Sequence, residues 1–353
     1  VGAGLVAAGS AGSVGVDQRS AAASGGLSGG DVFTQQGANP RNIWQIDRTT
    51  GGQTSVGTFS IPGTSGNLNG VGIYDADTDG YGEVMTGVQP ANTGTARSIY
   101  QYSSITGQTT LLGAGVAGAA VTHGAINQAN GHYYYGGVTG GTLNVYGFNT
   151  TTNQSMGLVA SGAIPNGGGN GDWAFDSQGN LYVVAGGSGA GTVNVVSVID
   201  QKIPTSAGTP VAITGTELVR IDAGGTALNA IAFAGDGYLY VAGGPRMYKV
   251  NPTTGTVISN VPFATAGTVD MASCASPNTV SIVKDFPAGR HTASDQVTMT
   301  ISGDGITKGN TATTAGTASG VQPQEAGPVL VLSGQQITVT ETGTGTGRPK
   351  YDS

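Results

Sequence analysis

Charge is what this sequence most conspicuously lacks. Only 9% of its 353 residues are Asp, Glu, Lys or Arg, against about a quarter in an average soluble chain. The 13 basic residues are outnumbered by 20 acids, for a net charge of −7. That leaves no basic stripe to follow a phosphate backbone, and nucleic acid is excluded as a partner class. Cysteine is nearly absent as well: Cys274 stands alone, which rules out an internal disulfide and any multi-cysteine metal centre. Cys274 is either a small buried hydrophobe or the partner of a thiol outside the chain. No apolar run reaches the length of roughly 18 residues that a membrane helix needs, so no transmembrane segment is expected. An H-E-x-x-H helix and a phosphate-binding Walker loop are also missing.

Glycine is abundant, at 64 residues. Such a composition belongs either to turn-dense β structure or to low-complexity coil, and regularly spaced aromatic and β-branched runs decide for β. A surface rich in Thr, Ser, Gly and Asn and poor in charge fits an exported protein, placed outside the cell or on its surface. Residues 1–30 are Gly, Ala and Ser almost throughout, and read as the remnant of an export signal or as a mature arm. Without an initiating Met or a basic start, the numbering is expected to begin downstream of the true start.

The repeating unit is clearest in residues 228–257, LNAIAFAGDGYLYVAGGPRMYKVNPTTGTV. Two alternating runs flank Gly235-Asp236-Gly237 as a β-hairpin. Met247 to Val250 is a third strand, Asn251-Pro252-Thr253-Thr254-Gly255 a turn, and Thr256 to Val261 a fourth strand. Four short antiparallel strands, copied along a chain, are the signature of a propeller blade. The third-strand type recurs at Asn42–Asp47, Ser98–Gly107, Asn144–Asn153 and Glu217–Gly224. The hairpin recurs at Asn69–Gly87, His123–Gly137, Asp172–Gly187 and Asn229. A fifth inner strand, Thr268–Ser273, has no second strand after it, and the orphan strand Asp31–Gln36 supplies one, closing the ring. The expected fold is therefore all-β, a five-bladed propeller over residues 31–276. The count is six if Val193–Ile199 and the Pro-bearing loop Ile203–Pro210 form a degenerate blade rather than an insertion.

From Pro277 the aromatic hairpins stop. Thr279–Phe286, Gln296–Ser302, Thr311–Thr317, Pro328–Leu332 and Gln336–Glu341 form the pattern of a small immunoglobulin-like β-sandwich. With fewer than 80 residues, this module, 277–353, reads as short of a strand.

The hairpins, of the form N-A-x-x-F-x-x-D-G-x-L-Y, resemble the uncharacterised propeller-type domain of secreted actinobacterial surface proteins. In the C-terminal module, the K-D-F start, the D-Q-V-T run and the closing I-T-V-T-E-T resemble, in order, the SpaA-type prealbumin-fold domain of Gram-positive surface proteins and pilins. That resemblance implies a Lys–Asn isopeptide, with Lys284 as amine and Glu341 as activating carboxylate. The acceptor Asn belongs on a final strand that this stretch does not contain. The bond is thus absent, completed by residues not shown or by a neighbouring chain, or else Lys284 is a solvent-facing strand lysine.

Four further groups carry chemistry. Asp75, Asp77, Asp79 and Glu83, with Gly80, form D-x-D-x-D-G-x-x-E, whose carboxylates can converge on a structural calcium ion; the plain reading is a polar turn. The inner strands place Asn69, His123, Asp172, Asn229 and Asp270 toward the propeller axis, where His123 with Asp172 can do acid–base chemistry or simply be hydrated. Tyr133, Tyr134, Tyr135, Tyr146, Tyr182, Tyr238 and Tyr240 are either a carbohydrate platform or core. Asn149 and Asn153 sit in glycosylation-type triplets. The function expected is a non-enzymatic extracellular surface protein acting in structure, adhesion or subunit assembly. Its partners would be copies of itself, joined through the N-terminal arm and the C-terminal sandwich, or cell-surface glycan. The rivals are a glycan-acting propeller hydrolase or lyase and a glycan-binding module, both working through the axial channel.

Overall fold

The computed structural model describes residues 5–9, 27–28, 31–36, 40–61, 63, 68–75, 81–82, 84–90, 94–187, 189, 191–263, 268–275, 277–290 and 292–343. All regular structure among them is β, with no helix and hence none able to cross a membrane. The chain divides into two units, Gln18–Ser276 and the pairing of Val1–Asp17 with Pro277–Ser353.

The larger unit is built from antiparallel four-stranded sheets. One runs Asn69–Tyr74, Val84–Gln89, Ala96–Ser103, Thr109–Val116 from inner to outer edge, and another Ala230–Phe233, Leu239–Gly243, Arg246–Val250, Val257–Pro262. Two more, starting at His123–Asn127 and at Asn170–Phe175, are fused at their outer edges, where Ala160–Ala163 pairs in parallel with Val211–Thr214. The remaining sheet joins the two ends of the unit, in the order Thr268–Ala272, Val32–Gln36, Arg41–Ile46, Gln53–Phe59. There Met271 lies opposite Thr34 and Ala272 opposite Phe33, and the Thr34 hydroxyl donates to the Asp270 carbonyl at 2.7 Å.

The first strands of these sheets pack in a cycle. Asn69–Tyr74 touches His123–Asn127, which touches Asn170–Phe175, then Ala230–Phe233, then Thr268–Ala272, which returns to Asn69–Tyr74. Apolar residues from neighbouring sheets fill the wedges between them. Leu143, Val145, Trp173, Val183 and Ile213 form one such cluster, and Phe33, Phe59, Val71, Ile73 and Met85 another. This radial arrangement is of the β-propeller kind.

The repeat is visible down to its turns. Asp47, Asn149 and Asn251 each cap the link between third and fourth strands by accepting the N–H groups two and three residues on. The fifth position of each turn is left-handed, at Gly51, Asn153 and Gly255 with φ of 75°, 55° and 70°. Short polar side chains that mimic a backbone turn, followed by Gly or Asn where φ is positive, favour this geometry.

Two expectations for the middle of the chain need correction. Val193–Ile199 is neither an insertion nor a degenerate blade: Asn194–Ile199 is the third strand of the sheet begun by Asn170–Phe175. Glu217–Gly224 is not a third strand, because Val211–Ile221 is the fourth strand of that same sheet, with Val196 opposite Val219. The alternation of ELVRI matches both positions; only its long-range partner distinguishes them.

The smaller unit is a two-sheet sandwich. One sheet is Leu5–Gly9, Thr279–Phe286, Gly320–Leu330; the other is Thr311–Thr313, Val297–Ser302, Thr338–Gly343. Ile282, Phe286, Val297, Met299, Ile301 and Ala326 form its core. The Pro328–Leu332 segment is the end of a strand that already begins at Gly320. The additional strand comes from the other end of the chain, with Leu5 opposite Lys284 and Gly9 opposite Val280.

Candidate functional site: a buried carboxyl pair and an inter-sheet ion pair

Asp172 sits on the inner strand Asn170–Phe175, between Gly171 and Trp173, and is fully buried. An ionised carboxylate there survives only if its oxygens are satisfied. Its Oδ1 accepts the Trp173 N–H at 2.7 Å and the Gly124 N–H at 3.3 Å. Its Oδ2 accepts the Ile231 N–H at 3.0 Å and the Met271 N–H at 3.4 Å. Those donors belong to four of the inner strands. Asp270, equally buried, accepts the Val71 N–H of the fifth through Oδ2. Between them the two carboxyls fasten every strand of the inner cycle.

The two also bond to each other. Burial raises Asp172 to about 7, against the pull of its hydrogen bonds from Asp270, Ile231, Trp173 and Gly124. Burial, and then the charge of Asp172, raises Asp270 well above the usual carboxylate range. Asp270 therefore keeps its proton near neutrality and donates it to Asp172, the behaviour of like carboxyls sharing a site. Arg41, 4% exposed, supplies a nearby cation: burial lowers its pKa and the attraction of Asp270 raises it. The Tyr133 hydroxyl donates to the Gly70 carbonyl. Burial, followed by Asp270, Tyr135 and Asp172, raises the Tyr133 pKa far above its normal value, so this phenol stays neutral.

His123 is buried too, and its ring lies 5.3 Å from that of Trp173. Nδ1 is 2.7 Å from the Thr122 hydroxyl. Burial drives its pKa down to about 3, with a backbone bond at Val184 opposing, so the imidazole is neutral. A Cβ at position 171 would lie 2.6 Å from His123 Nε2 and 2.0 Å from the Val184 carbonyl; only glycine leaves room for the ring. The structure thus joins Asp172 to Asp270, while His123 is paired with Thr122. Beside the hub, a cavity of about 20 Å³ lined by Val71, Ile126, Trp173, Ile231 and Met271 has room for roughly one water.

Elsewhere, Tyr133, Tyr134, Tyr135, Tyr182 and Tyr240 are core residues, and Cys274 is a buried thiol that forms no disulfide. Asn149 holds a turn. Of the acidic loop, Asp75 is half-buried, whereas Asp77, Asp79 and Glu83 lie outside the described residues. Asn69 donates to the Val121 carbonyl at 3.4 Å.

In the sandwich, Lys284 alternates onto the inner face with Ile282 and Phe286. It is 1% exposed, so the solvent-facing reading is wrong. Its ammonium meets both Glu341 oxygens at 2.9 Å, bridging the two sheets. Arg290 stacks 4.1 Å from the Phe286 ring centroid and donates to Gln322 at 2.6 Å.

The mutual pairing of the two aspartates and the part played by Tyr133 and Arg41 were not anticipated. The available signal was an acid at one matching frame of two otherwise apolar inner strands, NGDWAF and TVDMA.

Residues 279–352 match SpaA_3, a prealbumin-like fold domain. No curated protein matches the chain. Among solved structures, it is similar to the Cps50 (Swd1) beta-propeller domain of Myceliophteria thermophila, at 10% identity over 73% of this chain and 92% of that one, TM-score 0.39. A putative 6-phosphogluconolactonase from Bacteroides uniformis aligns at 14% identity over 87% and 83%, TM-score 0.39. A protein of unknown function from Bacteroides caccae aligns at 13% over 69% and 97%, TM-score 0.35.

Proposed function

We propose that this chain is a non-enzymatic extracellular surface protein, a five-bladed propeller over residues 31–276 followed by a prealbumin-like module over 277–353, acting in structure, adhesion or subunit assembly. The observation that carries the reading is the prealbumin-like domain at 279–352, a sandwich whose sheets are cross-braced by Lys284 and Glu341. The hub supports it. Asp172 and Asp270 hold backbone N–H groups from five strands, and their carboxyl oxygens face the frame that they fasten. The cyclic contact of five inner strands supports the blade count. A structural calcium ion at Asp75, Asp77, Asp79 and Glu83 belongs to the same proposal, supported by the spacing of the acids; chelation would then lower the melting temperature, and an unchanged melting temperature removes the ion.

The test is protease shaving of intact source cells. Recovery of peptides from both units before lysis is the expected result; peptides released only after lysis contradict a surface location.

A further inference from the structure

The edge strand of the sandwich is supplied by the opposite end of the chain. Thr279–Phe286 is flanked on one side by Gly320–Leu330 and on the other by Leu5–Gly9, through five consecutive antiparallel pairs from Leu5–Lys284 to Gly9–Val280. Removing Leu5–Gly9 would leave the unpaired N–H and C=O groups of Thr279–Phe286 as a sheet edge, a template for any strand of the right pattern. Lys284, which holds Glu341 across the sandwich, lies on that edge strand. Residues 10–26, SAGSVGVDQRSAAASGG, separate the donor in sequence from the next described strand, Leu27–Ser28. A stretch of that length spans at most roughly 60 Å.

From this we infer that Leu5–Gly9 is an exchangeable strand whose partner is the sandwich edge of a second copy of this chain, producing head-to-tail assembly. The backbone pairs made within a chain and between chains are the same, so effective concentration decides between them. Covalent connection holds the chain's own strand at a raised effective concentration, and crowding of copies on a surface raises that of the neighbours' strands. Each chain carries one donor and one acceptor; passed on from copy to copy the exchange propagates, whereas a reciprocal exchange closes as a dimer. This inference rests on the surface reading above.

Val6 lies opposite Val283, so the test uses two full-length variants, Val6→Cys and Val283→Cys, each also carrying Cys274→Ala. They are mixed at high concentration and oxidised. The expected product is a disulfide-linked dimer, absent from either variant alone under identical conditions and rising with concentration. No mixed dimer, while a chain carrying both cysteines closes internally as a monomer, overturns exchange and leaves the strand pairing intact. If neither forms, the pairing itself falls. Protease shaving is independent of all three results, so a failure of exchange is separable from a failure of the surface assignment.

Discussion

An asparagine at position 172 would turn an NH₂ group toward backbone N–H donors that Asp172 now satisfies with two oxygens. Each buried N–H left without an acceptor costs roughly 1–3 kcal/mol, so Asp172→Asn is expected to lower stability by at least that amount in urea unfolding. Asp270→Asn should be far milder. Its amide copies the protonated acid, with an oxygen for the Val71 N–H and an N–H for Asp172. Equal losses from the two substitutions would refute the proton assignment. The pair also predicts a pH dependence. Both aspartates have folded pKa values above the unfolded value, so their contribution is complete below about pH 4 and is lost as pH rises, for Asp172 through about 7. His123 opposes them: its pKa is depressed to about 3, so its contribution is present above about 6.5 and fades as pH falls. Because His123 is common to both proteins, the melting-temperature gap between wild type and Asp270→Asn isolates the carboxyls, and should narrow from pH 4 to pH 8. Placing Asp172 and Asp270 on inner strands was within reach of the sequence. That they share a proton was not, because it depends on five N–H groups and a burial that only the closed ring creates.

At the scale of the element, the hairpins and their turns were legible because local chemistry fixes them. Asn or Asp at the start and Gly or Asn at the fifth position encode the turn wherever it recurs. The fourth strand Val211–Ile221 was not legible, since ELVRI has the same alternation as RMYKV and its partner Asn194–Ile199 lies across a loop. Nor does any local pattern say that Leu5–Gly9 pairs with residues near 280. The Lys284–Glu341 brace makes a sharper prediction. Glu341→Gln leaves an uncompensated buried ammonium and should cost near the low end of roughly 3–5 kcal/mol, Glu341 being partly exposed, while Lys284→Met removes the charge and fills the space, and should be neutral or stabilising by about 1–4 kcal/mol. Thermal unfolding of both variants checks the order; the reverse order would mean that the pair is not buried in solution.

For the whole molecule, the governing feature is the joint between the two ends of the larger unit. Val32–Gln36 precedes Thr268–Ala272 by most of the chain, yet the two are adjacent strands. The Arg48 guanidinium, 3.3 Å from Asp236, ties the sheet containing this joint to its neighbour. Closing so long a loop carries an entropic cost that grows only slowly with length, and removes the open edges that a linear row of sheets would expose. Opening the joint should therefore loosen the hub as well, because Thr34 bonds the Asp270 carbonyl and Met271 donates to Asp172. Thr34→Val, which deletes that hydroxyl, is expected to cost roughly 1–3 kcal/mol, read as a lower urea midpoint. The most direct test is a cysteine pair at Thr34 and Met271 in a Cys274→Ala background. Residues directly opposite on antiparallel strands have Cα atoms about 4.5–5.5 Å apart, within the range a disulfide spans. Oxidation of the folded monomer should join the two positions in one chain, seen as a single linked peptide after digestion. Two thiols that stay unlinked and alkylate separately would contradict the closed ring.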